Sequence, residues 1–201
     1  MQVRSARRSA RTISLRRVAL WLTIGAVGIL LVVAIAVVKR SVPPAAAEAP
    51  PFNALAKGDV APAFSAATTQ GPFSLGTARR PVFLEVFATW CPHCQRETAV
   101  LNQLYRKYRN RLDFLAVSGS QYAGDRASAE SETDVLNFAN HFSVRYPVAF
   151  DGSLSVAKSY LQAGFPTIVI IGADKRIAYV GSGEISMPIL DSAIRAAIPQ
   201  R

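Results

Sequence analysis

The sequence predicts a three-layer α/β domain preceded by a transmembrane helix. Apolar segments of strand length alternate with longer segments of helical periodicity. The last two strand-like segments are separated by a short turn and followed by an amphipathic helix. An uncharged stretch long enough to cross a bilayer lies near the N-terminus. Together these features indicate one anchored domain with a layered sheet.

The candidate membrane span is residues 18–38, which contain no charged residue. At about 1.5 Å per residue, a helix of this length spans roughly the bilayer core. Six arginines precede it and only Lys39 and Arg40 follow closely, so residues 1–17 are expected in the cytoplasm. A cleaved signal peptide is the alternative, because small residues follow at 45–47. Its apolar stretch would exceed the usual length of about 7–15 residues, so we expect an uncleaved, single-pass signal-anchor.

The basic charge is concentrated in the N-terminal region. The net charge is +10, from 23 basic and 13 acidic residues. Eight basic residues lie within residues 1–40, and the other 15 nearly balance the acidic ones. This distribution argues against a nucleic-acid partner for the domain. Residues 39–56 are rich in proline and alanine, which favours an extended linker, so the domain is expected at 57–201.

The elements of the domain follow from their patterns. Residues 81–88 are apolar on both faces apart from Glu85, as in a strand buried within a sheet. Cys91 then opens a helix, with Pro92 in the first turn, where a missing N–H costs nothing. Strands are predicted at 112–119, 146–151, 167–172 and 176–181, and further helices at 132–142, 153–161 and 187–198.

The only two cysteines, Cys91 and Cys94, stand at the start of the predicted helix. Negative charge is favoured there, so Cys91 is expected to be the nucleophilic thiolate and Cys94, one turn further, the resolving thiol. An inert structural disulfide and half of a metal site are the alternatives. An exposed pair at a helix start is poised for exchange, which argues against the first. A c-type haem attachment site would need histidine where Gln95 stands.

These residues resemble the thioredoxin superfamily. The resemblance is carried by TWCPHC at 89–94, by Glu97 three residues after the second cysteine, and by GFPT at 164–167. Within the superfamily, residues 57–198 are similar to the membrane-anchored, periplasmic TlpA/ResA-like thiol-disulfide oxidoreductases. The resemblance implies a thioredoxin-like fold with a central mixed sheet flanked by helices. It also implies a redox-active disulfide, Cys91–Cys94, and no further cofactor or metal.

Two glutamates are candidates for controlling the cysteine pair. Glu85 lies in an apolar strand, where burial should raise its pKa, and the resemblance implies that it relays protons to Cys94. A salt bridge to an arginine at the core edge is the alternative. Glu97 shares a helix face with Cys94. The resemblance implies that Glu97 tunes the pKa values of the thiols, and an exposed glutamate near Arg96 is the alternative.

The residues around the cysteines are expected to set their redox poise. Whatever stabilises the thiolate favours the dithiol and makes the disulfide more oxidising. Pro92 and His93 form a dipeptide similar to that of the strongly oxidising DsbA, and the imidazole of His93 would supply such stabilisation. A polar turn residue of little consequence is the alternative for His93. Trp90 is expected to shield the thiolate.

Residues Phe165, Pro166 and Thr167 are the candidate substrate-binding segment. Gly164 ends a helix and Thr167 begins a strand, so Pro166 occupies a strand entry that needs no donor. The resemblance implies a cis bond before Pro166 that faces the cysteines and holds the substrate backbone. Phe165 stands where related proteins commonly have valine, a departure that bears on partner choice.

The leading hypothesis is an enzyme, an extracytoplasmic thiol-disulfide oxidoreductase acting on client-protein cysteines. The resemblance implies a periplasmic reductase at the inner membrane, for example in cytochrome c maturation or metal-site assembly, supplied by a membrane electron-transfer partner. A DsbA-like oxidant is the alternative that Pro92 and His93 favour. A copper(I) carrier using Cys91, Cys94 and His93 is the alternative from another class. The absence of a methionine-rich or second cysteine-histidine cluster counts against it.

Overall fold

The computed structural model describes residues 54–199. The strands are β1 (Ser65–Thr68), β2 (Gly71–Ser74), β3 (Val82–Phe87), β4 (Asp113–Ser118), β5 (Val148–Phe150), β6 (Thr167–Ile171) and β7 (Ile177–Ser182). The helices are α1 (Pro92–Tyr108), α2 (Glu132–His141), α3 (Ser155–Tyr160) and α4 (Met187–Ala197). One seven-stranded sheet has the order β2-β1-β5-β4-β3-β6-β7. Strands β3, β4 and β5 pair in parallel and the other neighbours are antiparallel, so the sheet is mixed, as predicted.

Strand β3 lies inside the sheet, and all six of its residues are buried. Its alternate side chains point to opposite faces. Phe83 and Phe87 pack in a core with residues of α1, α2 and α4, whereas Leu84 and Val86 pack in a second core with residues of α3. The three-layer arrangement is therefore confirmed. Glu85 has the parity of Phe83 and Phe87, which places it on the side of α1.

The predicted strands and helices between residues 81 and 198 are all present, with differences of a few residues at their ends. The hairpin of β1 and β2 was not predicted. Each of its strands has four residues, SAAT and GPFS, without an apolar run that would indicate a strand. Gly71 closes the turn with a φ of 108°, and the Thr68 hydroxyl donates to its carbonyl at 2.7 Å.

The candidate span at 18–38, the basic segment 1–17 and most of the linker 39–56 lie outside the described residues. Within residues 54–199, no helix combines the length and apolar character needed to cross a bilayer.

Gly119 follows β4 at a point of close packing between the sheet and α3. Its N–H donates to the Phe87 carbonyl at 2.8 Å. A Cβ at this position would lie 2.7 Å from Val86 Cγ1 and 2.9 Å from Ala157 Cβ, both shorter than real contacts allow. The close approach therefore requires glycine.

We predict that Gly119→Ala destabilises the fold by about 1–3 kcal/mol, because the new methyl group overpacks this contact. Urea unfolding of the full-length protein in detergent measures the change. Gly124→Ala is the matched control, since a Cβ at Gly124 would meet no atom within 4 Å. Equal stability of the two variants would contradict the close packing at Gly119.

Candidate active site

Cys91 is the N-cap residue of α1, with extended backbone angles of φ −79° and ψ 115°. Pro92 occupies the first turn, as predicted. The Cys91 sulfur accepts a hydrogen bond from the Cys94 N–H at 3.4 Å, and its S–H donates to the Phe165 carbonyl at 3.5 Å. Cys91 thus lies between the open end of a helix, which favours a thiolate, and the segment that leads into β6.

Both cysteines are free thiols and both are buried, with 3% of Cys91 and none of Cys94 exposed. The expectation of an exposed pair is therefore wrong. Trp90 and Phe165 pack against the core cluster that contains the two cysteines and limit access of water. Burial, and then the charge of Glu85, raises the pKa of the Cys94 thiol. Cys94 consequently needs a base to become a nucleophile.

Glu85 is the buried acid whose charge acts on Cys94, and it is the candidate for this base. Burial raises its pKa from 4.5 to about 8, the charge of Glu97 adds to the rise, and a hydrogen bond from Tyr146 opposes it. The Tyr146 hydroxyl donates to Glu85 Oε2 at 3.4 Å. No ion pair of the described residues involves Glu85, so the alternative of a salt bridge to arginine is wrong. Tyr146 was missed because nothing in the sequence links it to β3.

Glu97 lies on the buried face of α1 with Cys94. Only 3% of the residue is exposed, so the alternative of an exposed glutamate is wrong. Burial raises its pKa to about 7, opposed by a backbone hydrogen bond from Ile185. Within the described residues, Oε1 of Glu97 is buried without a hydrogen-bond partner. Two desolvated carboxyl groups therefore share the interior with Cys94, and the charge of Glu97 makes ionisation of Glu85 harder.

His93 projects from the first turn of α1 and contacts a residue 91 positions away. Its Nδ1 lies 2.6 Å from Oε1 of Glu184, which follows β7. Arg96 Nε donates to the same oxygen at 2.9 Å. No hydrogen bond of the described residues joins His93 to Cys91. The sequence carried no signal for Glu184, because the contact depends on the loop between β7 and α4.

Trp90 forms one wall beside the cysteines. Its indole N–H donates to Ser120 Oγ at 2.8 Å, and its ring meets the Phe165 ring edge-on at a centroid distance of 5.8 Å. The Arg126 guanidinium lies 4.7 Å above the indole. These contacts hold Trp90 against the loop that follows β4, a position that suits the predicted shielding.

The segment before β6 faces the cysteine pair. The Phe165–Pro166 peptide bond is cis, as the resemblance implied. Gly183 N–H donates to the Pro166 carbonyl at 2.8 Å, and the buried Thr167 hydroxyl donates to the Gly164 carbonyl at 2.8 Å. Pro166 and Thr167 are buried, so among the three predicted binding residues only Phe165 offers a partly exposed side chain.

Two thiols at the start of a helix, beside a cis-proline segment and on a central mixed sheet, define the thioredoxin-like class of dithiol proteins. The chain belongs to the Redoxin family, whose model matches residues 56–197. Within residues 54–199, no three His, Cys, Asp or Glu side chains form a group that could hold a metal ion.

Comparison with known proteins supports the predicted resemblance. The chain is 27% identical over 119 residues to the thiol-disulfide oxidoreductase ResA of Bacillus anthracis. The aligned region covers 59% of this chain and 64% of that protein. It is 26% identical over 150 residues to ResA of Geobacillus kaustophilus, covering 73% and 81% of the two chains. The chain thus spans less than two thirds of the length of the first of these relatives.

Solved structures show the same fold. A protein of Chlorobium tepidum, described as a thiol:disulfide interchange protein DsbE, matches with a TM-score of 0.62 and 25% identity, over 72% of this chain and 99% of that one. StoA of Bacillus subtilis matches with a TM-score of 0.56 and 18% identity, over 67% and 97%. The predicted thioredoxin-like fold of the domain is confirmed.

We predict that Glu85→Gln reduces the pH dependence of stability. Because the pKa of Glu85 is about 8 in the fold and 4.5 as an ordinary carboxyl, folding takes up a proton between these values, so stability falls as pH rises through this window. A glutamine does not ionise, so at pH 9 the free energy of unfolding of the variant should exceed that of the wild type by about 2–4 kcal/mol. Urea unfolding at pH 5, 7 and 9 measures the slope.

Glu132→Gln, on the exposed first turn of α2, is the matched control for loss of a carboxylate and should keep the wild-type slope. A Glu85→Gln variant with the same slope as wild type would contradict the buried, proton-holding state of Glu85.

Proposed function

We propose that this protein is a thiol-disulfide oxidoreductase that exchanges the Cys91–Cys94 pair with cysteines of client proteins. The observation that carries the proposal is the contrast between the two thiols. Cys91 caps a helix, where a thiolate is favoured, whereas Cys94 is fully buried beside Glu85. The names of the ResA relatives support the same activity.

The exchange proceeds in two displacement steps. The Cys91 thiolate attacks one sulfur of a client disulfide and forms a mixed disulfide with it. The client S–S bond breaks, and the other client sulfur leaves as a thiolate. Glu85 in its ionised form then accepts the Cys94 proton, and the Cys94 thiolate attacks the Cys91 sulfur. The second client thiolate leaves, the Cys91–Cys94 disulfide remains, and both client thiolates take up protons. Two electrons have passed from protein to client.

The raised pKa of Glu85 suits this role. A general base is most effective when its pKa lies near the working pH, and Glu85 at about 8 meets this condition whereas an ordinary carboxyl does not. Glu97 is assigned a tuning role, because its charge contributes to the raised pKa of Glu85. Phe165 is assigned to the client contact, since its carbonyl already pairs with Cys91.

The proposed setting is the inner membrane, with residues 18–38 as the anchor and the domain in the periplasm. A reductase needs electrons, so a membrane electron-transfer partner belongs to the proposal. The similarity to ResA proteins favours a reductase, as in cytochrome c maturation or metal-site assembly. The Pro92-His93 dipeptide is the observation that favours the second candidate, a disulfide-forming oxidant.

We predict that Cys91→Ser does not catalyse the reduction of insulin disulfides by dithiothreitol, because the attacking sulfur is lost. The rate should fall to that of the uncatalysed reaction. Cys94→Ser should instead stop after the first displacement and accumulate a mixed disulfide with a client peptide, visible on a non-reducing gel. The two variants are matched controls for each other, since each replaces one buried sulfur by oxygen. Full activity of Cys91→Ser would mean that the cysteines serve binding rather than exchange.

A further inference from the structure

Glu184, between β7 and α4, contacts two side chains of the first turns of α1. Its Oε1 lies 2.6 Å from His93 Nδ1 and accepts from Arg96 Nε at 2.9 Å. An Arg96 terminal nitrogen also lies 2.9 Å from His93 Nδ1. One ring nitrogen cannot both donate to Glu184 and accept from Arg96. The consistent arrangement has His93 and Arg96 both donating to Glu184.

The carboxylate is kept ionised by these contacts. Hydrogen bonds from Arg96 and then His93 hold the pKa of Glu184 below its ordinary value of 4.5. The three side chains are partly exposed, with exposed fractions of 58% for His93, 56% for Arg96 and 41% for Glu184. Each contact is therefore modest in strength, and a substitution can release the two donors without disturbing the core.

His93 and Arg96 belong to the first turns of α1, the helix that Cys91 caps, and the described residues show no hydrogen bond from either side chain to the Cys91 sulfur. The hydrogen bonds of the Cys91 sulfur in the described chain go to backbone groups of Cys94 and Phe165. Hydrogen bonding to Glu184 raises the pKa of Arg96, and the charge of Cys91 adds to this rise. Arg96 thus interacts electrostatically with Cys91, while its guanidinium group donates its hydrogen bond to Glu184.

We propose that Glu184 is a positioning residue that withholds His93 and Arg96 from the Cys91 thiolate and thereby lowers the reduction potential of the cysteine pair. The inference rests on the proposed thiol-disulfide exchange and deepens it. A donor at the thiolate would stabilise the dithiol and make the disulfide a stronger oxidant. Because His93 donates to Glu184 and not to the thiolate, the Pro92-His93 dipeptide is compatible with a reductase.

The test is the equilibrium between the full-length protein and glutathione. One protein dithiol and one glutathione disulfide give one protein disulfide and two glutathione thiols. Glu184→Ala, which removes the acceptor, should lower this equilibrium constant about threefold to tenfold and so raise the reduction potential by about 15–30 mV. An unchanged constant, or one that increases, would overturn the role of Glu184.

A second comparison separates positioning from the bulk effect of one negative charge. In the background His93→Ala/Arg96→Ala, the two donors are gone, and Glu184→Ala should no longer shift the equilibrium. A shift of the same size in that background would overturn the inference. Asp113→Asn is the matched control, because Asp113 pairs with Arg80 at the other end of the parallel strands and should leave the constant unchanged.

The two proposals fail in different ways. If the wild-type cysteines do not equilibrate with glutathione at all, the exchange function is wrong and the inference falls with it. If wild type equilibrates but Glu184→Ala matches it, only the positioning role of Glu184 is wrong.

Discussion

Exclusion of water from the space beneath the first turn of α1 is the constraint on which the site depends. Cys94, Glu85 and Glu97 all lie in this space. Burial disfavours the charged form of each, so protons are held there that water would otherwise take. A protein selected for stability alone would place apolar side chains at these positions. The buried carboxyls thus cost stability, and the ionised form of Glu85 is the proton acceptor that we propose for the Cys94 thiol.

The fold supplies this space through the position of β3. Because β3 is interior to the sheet, Glu85 is covered on its own face by the helices that pack there. The same strand leads directly to Cys91 at the open end of α1, while the cis-proline segment before β6 closes the other side. The loop after β7 then reaches the exposed face of the first turn through Glu184. In the proposed exchange, buried residues accept the proton of Cys94, and exposed residues adjust the reduction potential through Cys91.

Much of this could be predicted from local sequence. An apolar strand, a proline after a cysteine and the pattern of alternating elements depend on neighbours along the chain, so β3, α1 and the position of the cysteines at the start of α1 could be predicted. The burial of Glu97 could not be predicted in this way, because a charged residue on a helix is covered only when a distant segment packs over it. Here that segment is the loop near Ile185. The partners Tyr146 and Glu184 lie 61 and 91 residues from the groups they contact. The short hairpin of β1 and β2 is stabilised by the sheet edge rather than by its own pattern.

The reduction potential of the Cys91–Cys94 pair tests the central claim, a dithiol poised to give electrons to client disulfides, most directly. It is measured by equilibrating the full-length protein with glutathione buffers and counting free thiols. We expect a value near that of thioredoxin, about −270 mV, because the proposed function is that of a reductase. The withholding of His93 and Arg96 by Glu184 contributes only about 15–30 mV to this low potential. A value near −120 mV, the range of DsbA, would contradict it and make the protein a disulfide-forming oxidant.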